Sequence, residues 1–150
     1  MSAPTPRSVP ASDTPPGNLP VPIPFIDALG VELLEMADGQ AVATMTPGPV
    51  HMNSWAVVHG GVLMTLLDFI MAMAGRSARA DFRSGHAAPG GNLTVEMKTT
   101  FIRPATGRLT ATGRSLHAGR SLTFCEGEIT NDGGETVARA SGTFKYWNAR

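Results

Sequence analysis

The chain has 150 residues, enough for one domain that buries about two-thirds of the surface its unfolded form exposes. Its 12 basic residues balance its 12 acidic ones, so the overall charge gives no reason to expect a nucleic acid or an anionic membrane as a partner. The single cysteine, Cys125, cannot form an internal disulfide and lies in a strand-like run, which indicates a buried, reduced thiol and a cytoplasmic protein.

The first 24 residues contain eight of the 12 prolines, mixed with small and polar residues. Such a segment neither forms a helix nor buries a core, and this one lacks the continuous apolar stretch of a secretory signal. Residues 1–22 are therefore predicted to be a disordered tail, and residues 23–150 the folded domain. The first element of that domain is a single helical turn over 24–30.

A β-hairpin is predicted next. Segments 31–37 and 40–46 are strand-like, and Asp38-Gly39 between them supplies the positive φ values of a tight turn. The second strand ends at Pro47, because proline cannot donate to a strand ladder, and an irregular loop then runs to His59.

One long helix is predicted over about 61–77, with most of its faces apolar, so it must be covered nearly all round. One stripe is small or polar, with members three and four residues apart: Gly61, Thr65, Asp68, Ala72 and Gly75. A carboxylate on such a helix is costly to bury unless it is paired, hydrogen-bonded or used. The apolar run 62–74 is shorter than the roughly 20 residues that cross a bilayer, so no membrane span is predicted.

Four further strands are predicted at about 92–102, 108–117, 120–130 and 135–147. The links between them are short, and short links favour antiparallel neighbours. The element order is therefore ββ-helix-ββββ. It predicts an α+β fold in which one antiparallel sheet curls around one very apolar helix.

Chemistry-bearing residues gather where the loop enters the helix. The N-terminus of a helix exposes unpaired backbone N–H groups, and Gly60 and Gly61 let a ligand oxygen approach them, as an oxyanion hole requires. Asp68 lies two turns further along, where a carboxylate could activate water or attack an acyl carbon. Asn53 could hold the substrate or orient the water. Alternatively, Asp68 is a structural carboxylate that Thr65 or Asn53 satisfies.

The pattern Asn53-x5-His59-Gly60-Gly61-x6-Asp68, within the order ββ-helix-ββββ, resembles the hotdog-fold acyl-CoA thioesterases, particularly the group typified by phenylacetate-degradation thioesterases. The resemblance covers roughly residues 25–147. It implies a five- or six-stranded sheet wrapped around the long central helix, and dimers joined edge to edge with active sites at their interface. Such dimers commonly pair into a homotetramer.

Site roles follow from this resemblance position by position. It implies that the Gly60 N–H polarises the thioester carbonyl, that His59 fixes the turn, and that Asp68 is the nucleophile or general base. Asn53 is expected near the thioester or the catalytic water, and Thr94 at the position whose hydroxyl helps to hold the attacking water. Asp68 and Gly60 of one site would come from opposite subunits.

Residues that bind the substrate are harder to find in the sequence. The family usually has Pro-x-Gly between the asparagine and the histidine, whereas this chain has Ser54-Trp55-Ala56, which predicts a reshaped loop. Trp55 could fill part of the acyl pocket or contact a second subunit. The candidates for binding the substrate and its CoA phosphates are Gly61, Trp55, Arg103, Gly119, Arg120 and Ser121.

The resulting hypothesis is hydrolysis of aromatic acyl-CoA, phenylacetyl- or hydroxybenzoyl-like, or of short- to medium-chain acyl-CoA. No metal is predicted, and no cofactor is expected because coenzyme A belongs to the substrate. His51, His86 and His117 are interpreted as solvent or loop residues. Two alternatives stay open, a non-catalytic acyl-CoA-binding or sensory hotdog module and an enoyl-CoA hydratase. The hydratase would need an Asp/His pair in the helix-entry loop.

Overall fold

The computed structural model describes residues 22–83 and 90–148 of the chain. The predicted tail, apart from Pro22, lies outside these ranges, and so does His86. The elements run in the order α1 (Pro24–Ala28), β1 (Glu32–Ala37), β2 (Gln40–Met45), a 3-10 turn (Pro49–His51), α2 (Gly60–Ser77), α3 (Ala80–Arg83), β3 (Gly90–Phe101), β4 (Leu109–Ala118), β5 (Leu122–Thr130) and β6 (Thr136–Asn148).

The six strands form one antiparallel sheet in the order β1-β2-β4-β5-β6-β3. The helix α2 packs against every one of them. This confirms the predicted order ββ-helix-ββββ and the single sheet around a central helix. It also places β3, the strand that follows α2 in the chain, at the edge of the sheet opposite β1.

The core lies between α2 and the sheet face that it covers. Glycines on that face let the strands approach the helix backbone: a Cβ on Gly113 would lie 2.5 Å from the carbonyl oxygen of Ile70, and one on Gly127 would lie 3.0 Å from Met71 Cγ. Large apolar side chains fill the remaining space. The largest that are fully buried include Leu66, Leu67, Ile70, Met71, Leu109, Ile129, Val137 and Phe144.

The predicted β1–β2 hairpin is confirmed in detail. Asp38 and Gly39 have φ values of 47° and 80°, as a two-residue turn between antiparallel strands requires. The Gly39 N–H then donates to Ser77 Oγ at 2.9 Å, so the turn is attached to the last residue of α2. This contact holds the hairpin against the C-terminal end of the helix.

Two stretches for which the sequence predicts no helix contain short helical elements. The loop before α2 includes the 3-10 turn Pro49–His51, and the polar segment after it includes α3, Ala80–Arg83. In α3 the Asp81 carboxylate accepts the backbone N–H of Phe82 and pairs with Arg79 at 2.6 Å. These local interactions suffice for single turns, which have no periodicity that a sequence pattern could reveal.

His51 is buried, which corrects its interpretation from the sequence as a solvent or loop residue. It lies in the loop, but it is only 7% exposed. Its Nδ1 accepts the Gly48 N–H at 2.8 Å, and its Nε2 faces the carbonyl oxygen of Leu29 at 3.0 Å. One ring nitrogen therefore accepts while the other donates, and the neutral ring ties the loop to the end of α1.

Cys125 is fully buried in β5, which confirms the prediction of a buried thiol. Burial raises the pKa of the Cys125 thiol and so disfavours the reactive thiolate. In the described part of the chain, no helix is both long and apolar enough to cross a membrane.

Candidate active site

The entry to α2 leaves one backbone donor unoccupied. His59 is the N-cap, and its Nδ1 accepts the Gly61 N–H at 2.9 Å while its carbonyl oxygen accepts the Val62 N–H at 2.9 Å. Gly60 holds the first helical position, where an N–H has no partner within the helix. Its N–H donates to no group among the described residues. His59 thus consumes the Gly61 donor and leaves the Gly60 N–H available.

A mainly apolar cleft of about 350 Å³ adjoins Gly60. A Cβ on Gly60 would lie 3.4 Å from the ring of Phe101, so the glycine brings the backbone close to that aromatic ring. Besides Gly60, the cleft is lined by Val58, Leu63, Phe101, Ile102, Arg103, Pro104 and Ala105. The residue with the open donor therefore lines a mainly apolar space to which Arg103 also contributes.

Asp68 makes its hydrogen bond to the edge strand of the sheet. The Thr94 hydroxyl donates to Asp68 Oδ1 at 2.7 Å, and the carboxylate is half-buried. The other oxygen, Oδ2, accepts no hydrogen bond within 22–83 and 90–148. Thr65, one of the two partners considered for a structural Asp68, donates instead to the carbonyl oxygen of Gly61 at 2.9 Å. Asp68 is thus held through one oxygen and open at the other.

Asn53 shapes the loop that precedes the helix. Its Oδ1 accepts the N–H groups of Trp55 and Val57, at 2.9 and 3.3 Å, and its carbonyl oxygen accepts the Ala56 N–H at 3.1 Å. The other residue considered as a structural partner for Asp68 therefore directs its side-chain oxygen into its own loop. In this structure Asn53 is a turn-forming residue.

Ala56 takes the backbone conformation that glycine favours. Its φ is 56°, in the left-handed region, at the position where the related group usually has glycine. The loop thus retains a left-handed residue even though the glycine is absent. Trp55, beside it, is 83% exposed and forms the most prominent apolar group of the loop.

The candidates for phosphate binding lie at opposite ends of the sheet. Arg103 follows β3 beside the cleft, where its guanidinium donates to the Thr136 carbonyl. The hairpin of Gly119, Arg120 and Ser121 joins β4 to β5, and the Ser121 carbonyl accepts the Tyr146 N–H at 2.9 Å near the far end of β6. Within one chain, the structure therefore does not bring Arg120 to Gly60.

Gly60 and Asp68 also lie apart within one chain. Their eight-residue separation along α2 corresponds to a rise of about 12 Å. On β3, Phe101 lies beside Gly60 and Thr94 is hydrogen-bonded to Asp68. These two strand residues are about 23 Å apart along an extended strand. A single acyl carbon cannot contact both groups of one chain. Within one chain, the N–H donor and the carboxylate therefore lie at two separate positions along α2.

Sequence reasoning missed Phe101 and Ile102, which line the cleft beside Gly60. The sequence signal is Phe101-Ile-Arg-Pro104, in which two large apolar residues precede Arg103 at a predicted strand end. In the structure Phe101 and Ile102 are 51% and 46% exposed. Exposed apolar residues at a strand end indicate a binding surface more often than a core position.

Comparisons with known proteins identify the family of this chain. The model of the thioesterase superfamily matches residues 56–138, more than half of the chain. The acyl-coenzyme A thioesterase PaaI of Escherichia coli is 35% identical over 113 residues, which cover 74% of each chain. The medium/long-chain acyl-CoA thioesterase YigI of Salmonella typhimurium is 27% identical over 134 residues, 81% of this chain and 84% of that protein.

Solved structures show the same fold. The E. coli PaaI protein from the phenylacetic acid degradation operon superposes with a TM-score of 0.70 at 29% identity, over 81% of this chain and 82% of that one. A conserved protein of Pseudomonas aeruginosa, PA5202, gives 0.74 at 29% identity, over 83% and 94%. This chain therefore belongs to the thioesterase superfamily, as a hotdog-fold enzyme of the kind that hydrolyses esters and thioesters.

Proposed function

We propose that the protein hydrolyses acyl-CoA thioesters to the free acid and coenzyme A, at sites shared between two subunits. The observation that carries this proposal is the pair of open groups, the Gly60 N–H beside an apolar cleft and the Oδ2 of Asp68. One is a donor suited to a developing oxyanion, and the other is a base or nucleophile.

The edge strand β3 supports a dimer. Among the described strands it pairs only with β6, so its other side presents unpaired N–H and C=O groups along 12 residues. Leu93, Val95 and Phe101 on this strand are 55%, 58% and 51% exposed. A long, exposed, apolar edge is a template for pairing with another chain.

An antiparallel pairing of β3 with its copy would complete the site. Because the two strands would run in opposite directions, the Thr94 region of one would lie toward the Phe101 region of the other. Asp68 of one subunit would then face Gly60 of its partner, once on each side of the twofold axis. We further propose that two such dimers form a homotetramer.

The reaction needs only groups that this dimer would supply. Water, activated by Asp68, attacks the thioester carbonyl carbon while the Gly60 N–H stabilises the negative oxygen; such a donor contributes about 2.7–4 kcal/mol in other enzymes. The C–S bond then breaks, and the proton taken by Asp68 passes to the thiolate of coenzyme A. Alternatively, Asp68 attacks directly and water hydrolyses the resulting anhydride. In both routes Thr94 holds one carboxylate oxygen and leaves the other to react.

The cleft beside Gly60 limits the acyl group. Its lining by Leu63, Phe101 and Ile102 suits an apolar group, either aromatic, phenylacetyl- or hydroxybenzoyl-like, or a short or medium chain. The relationship to PaaI supports the aromatic choice, and the relationship to YigI supports an aliphatic chain. We place this reaction in the cytoplasm and assign it no cofactor beyond the coenzyme A of the substrate.

A CoA-release assay tests the proposal. Wild type and Asp68→Asn are compared on phenylacetyl-, hydroxybenzoyl-, and short- and medium-chain acyl-CoA. We expect wild type to release CoA from at least one of them, and Asp68→Asn to lose at least about a hundredfold in kcat, because an amide cannot act as base or nucleophile.

A direct measurement of acyl-CoA binding, which does not depend on detecting the released thiol, accompanies the assay. If wild type binds these acyl-CoA molecules and releases no CoA from any, the protein is an acyl-CoA-binding module and the hydrolase proposal is wrong. Full activity of Asp68→Asn would likewise contradict the assigned chemistry.

A further inference from the structure

A polar seam runs from Asp68 along the contact between α2 and β3. Thr94 donates to Asp68, and two residues earlier on β3 the Asn92 side-chain N–H donates to the Ala72 carbonyl at 2.8 Å. Each step of four residues on α2 rises about 6 Å, and each step of two residues on β3 spans about 6.6 Å. One further step leads from Ala72 to Arg76 on α2 and from Asn92 to Gly90 on β3.

The seam ends in a crevice lined by two guanidinium groups. Arg76 and Arg79 lie there with Asp81, which pairs with Arg79, and the rest of the lining is Phe82, Gly90, Gly91 and Asn92. The crevice itself has only about 10 Å³, the room of one water molecule, so an anion would lie across its mouth.

The two arginines of this crevice differ in their partners. Arg79 pairs with Asp81 at 2.6 Å and lies over the Tyr146 ring, with its guanidinium carbon 4.8 Å from the ring centroid. Arg76 is half-buried and donates to no group in the described part of the chain. Burial lowers the pKa of Arg76, the neighbouring charge of Arg79 adds to this effect, and the charge of Asp81 opposes it more weakly. Arg76 is therefore the cation that would gain most from an anion at this place.

The length of the seam fits the carrier of the proposed substrate. From Asp68 to Arg76 it extends about 12 Å along the helix. The pantetheine arm of coenzyme A joins the thioester sulfur to the diphosphate through two amide units. It is about as long as four extended residues, or roughly 13–15 Å. An arm that followed the seam from a thioester at Asp68 would therefore bring the nucleotide phosphates to Arg76.

We propose that Arg76 binds the phosphates of the CoA nucleotide and so makes the enzyme selective for CoA thioesters over thioesters of shorter thiols. This inference rests on the proposed function, since it takes the thioester to lie at Asp68. It assigns a role to a half-buried arginine that the chemistry at Asp68 and Gly60 does not use. Guanidinium groups are suited to this task because their donors match the geometry of phosphate oxygens.

The test compares two substrates that differ only beyond the pantetheine arm. The best acyl group from the CoA-release panel is presented on CoA and on pantetheine, which has no phosphate. Arg76→Gln should raise KM for the acyl-CoA at least about tenfold, with kcat and the KM for acyl-pantetheine unchanged. Arg76→Lys, which keeps the charge, should recover part of the affinity. Arg114→Gln removes an exposed arginine paired with Glu126 on another part of the sheet, and it is the matched control.

Calorimetric binding of free CoA to wild type and Arg76→Gln separates the two proposals. If wild type binds CoA more tightly than Arg76→Gln and yet hydrolyses none of the substrates, the hydrolase proposal fails and the phosphate site stands. Two results would overturn the phosphate site: an unchanged CoA affinity in Arg76→Gln, or an equal loss on acyl-CoA and acyl-pantetheine. The second would mean that Arg76 only supports the fold.

Discussion

Thr94 on the edge strand donates its hydroxyl to the carboxylate of Asp68 on the central helix at 2.7 Å. The contact fixes one oxygen of the carboxylate against the sheet and turns the other away from it. It also ties the side chain that we propose to be reactive to the strand at which the proposed dimer would form, so that dimer geometry and carboxylate orientation are coupled.

Removing the Thr94 hydroxyl should therefore reduce turnover more than stability. For Thr94→Val we expect kcat to fall about tenfold, the effect of one lost hydrogen bond to a charged group, with little change in KM. Steady-state kinetics on the preferred acyl-CoA measure this. Thr112→Val, at an exposed position on β4, is the control and should leave kcat unchanged. Equal losses in both variants would remove the special role of Thr94.

His59 should act as a cap and not in proton transfer. His59→Ala removes the acceptor for the Gly61 N–H and should lower the free energy of unfolding by about 1 kcal/mol, with a parallel loss of activity as the Gly60 turn loosens. His59→Asn supplies another capping oxygen without a proton-transferring ring. Thermal unfolding and kcat of both variants decide the matter: recovery of both quantities in His59→Asn supports a cap, and an inactive but stable His59→Asn would indicate proton transfer.

Ala56 should be a strained position that glycine relieves. A left-handed alanine costs about 1–2 kcal/mol relative to its usual conformations, while glycine adds entropy to the unfolded chain. We expect Ala56→Gly to raise the free energy of unfolding by roughly 0.5–1 kcal/mol. Ala118→Gly, at an exposed strand end without a positive φ, should lower it instead. Urea denaturation of both variants measures the two changes, and a destabilised Ala56→Gly would contradict the strain.

Stability should depend on pH through Glu128. The hydroxyl of Thr136, and then the guanidinium of Arg139, lower the pKa of Glu128 from its ordinary 4.5, against the opposing effect of burial. Because the folded carboxylate holds its proton less tightly than the unfolded one, it stabilises the fold above the unfolded pKa. That contribution is lost as the pH falls through the lower folded pKa. The carboxylate is partly exposed, so it amounts to less than about 1 kcal/mol.

The measurement is the loss of urea resistance between about pH 6 and about pH 3. Glu128→Gln should show a smaller loss than wild type over this interval. Glu32→Gln on β1 serves as the control, and it should show the same loss as wild type. A loss in Glu128→Gln as large as that of wild type would show that Glu128 does not contribute to the pH dependence of stability.

Local chemistry made most of the fold predictable from the sequence. Asp38-Gly39 identifies the hairpin because few dipeptides accept two positive φ values. The small stripe of α2 was visible in the sequence, but only the structure shows that it meets β3. The order of the strands was less accessible. Whether β3 pairs with β6 or with β1 depends on how the whole sheet closes around the helix, and no local pattern encodes that choice.

The sequence proposes the candidate site as a set of residues more readily than as a set of contacts. The glycines at the helix entry and the resemblance to the hotdog-fold thioesterases singled out Gly60 and Asp68. The sequence could not show that Thr94 donates to Asp68, or that Asn53 directs its oxygen into its own loop, since both contacts depend on the tertiary arrangement. His51 was misjudged for the same reason, as its burial comes from the approach of α1.

Activity in mixed dimers tests directly whether Gly60 and Asp68 of one site come from opposite subunits. Gly60→Pro removes the N–H donor without breaking the helix, because proline suits the first position of a helix and His59 before it is already extended, with φ −60° and ψ 136°. Proline also adds a Cβ that would lie 3.4 Å from the Phe101 ring, and Gly60→Ala adds the same Cβ while keeping the N–H. Asp68→Asn removes the carboxylate. Each variant alone should be inactive, and Gly60→Ala, which keeps the N–H, should retain more activity than Gly60→Pro.

Subunits of the two inactive variants are then unfolded, mixed in equal amounts and refolded together. If the Gly60 of one subunit serves the Asp68 of its partner, each mixed dimer has one intact site, and random pairing restores about one-quarter of wild-type CoA release. If both groups acted within one chain, no mixture would contain an intact site. Activity no higher than that of the separate variants would contradict the shared active site.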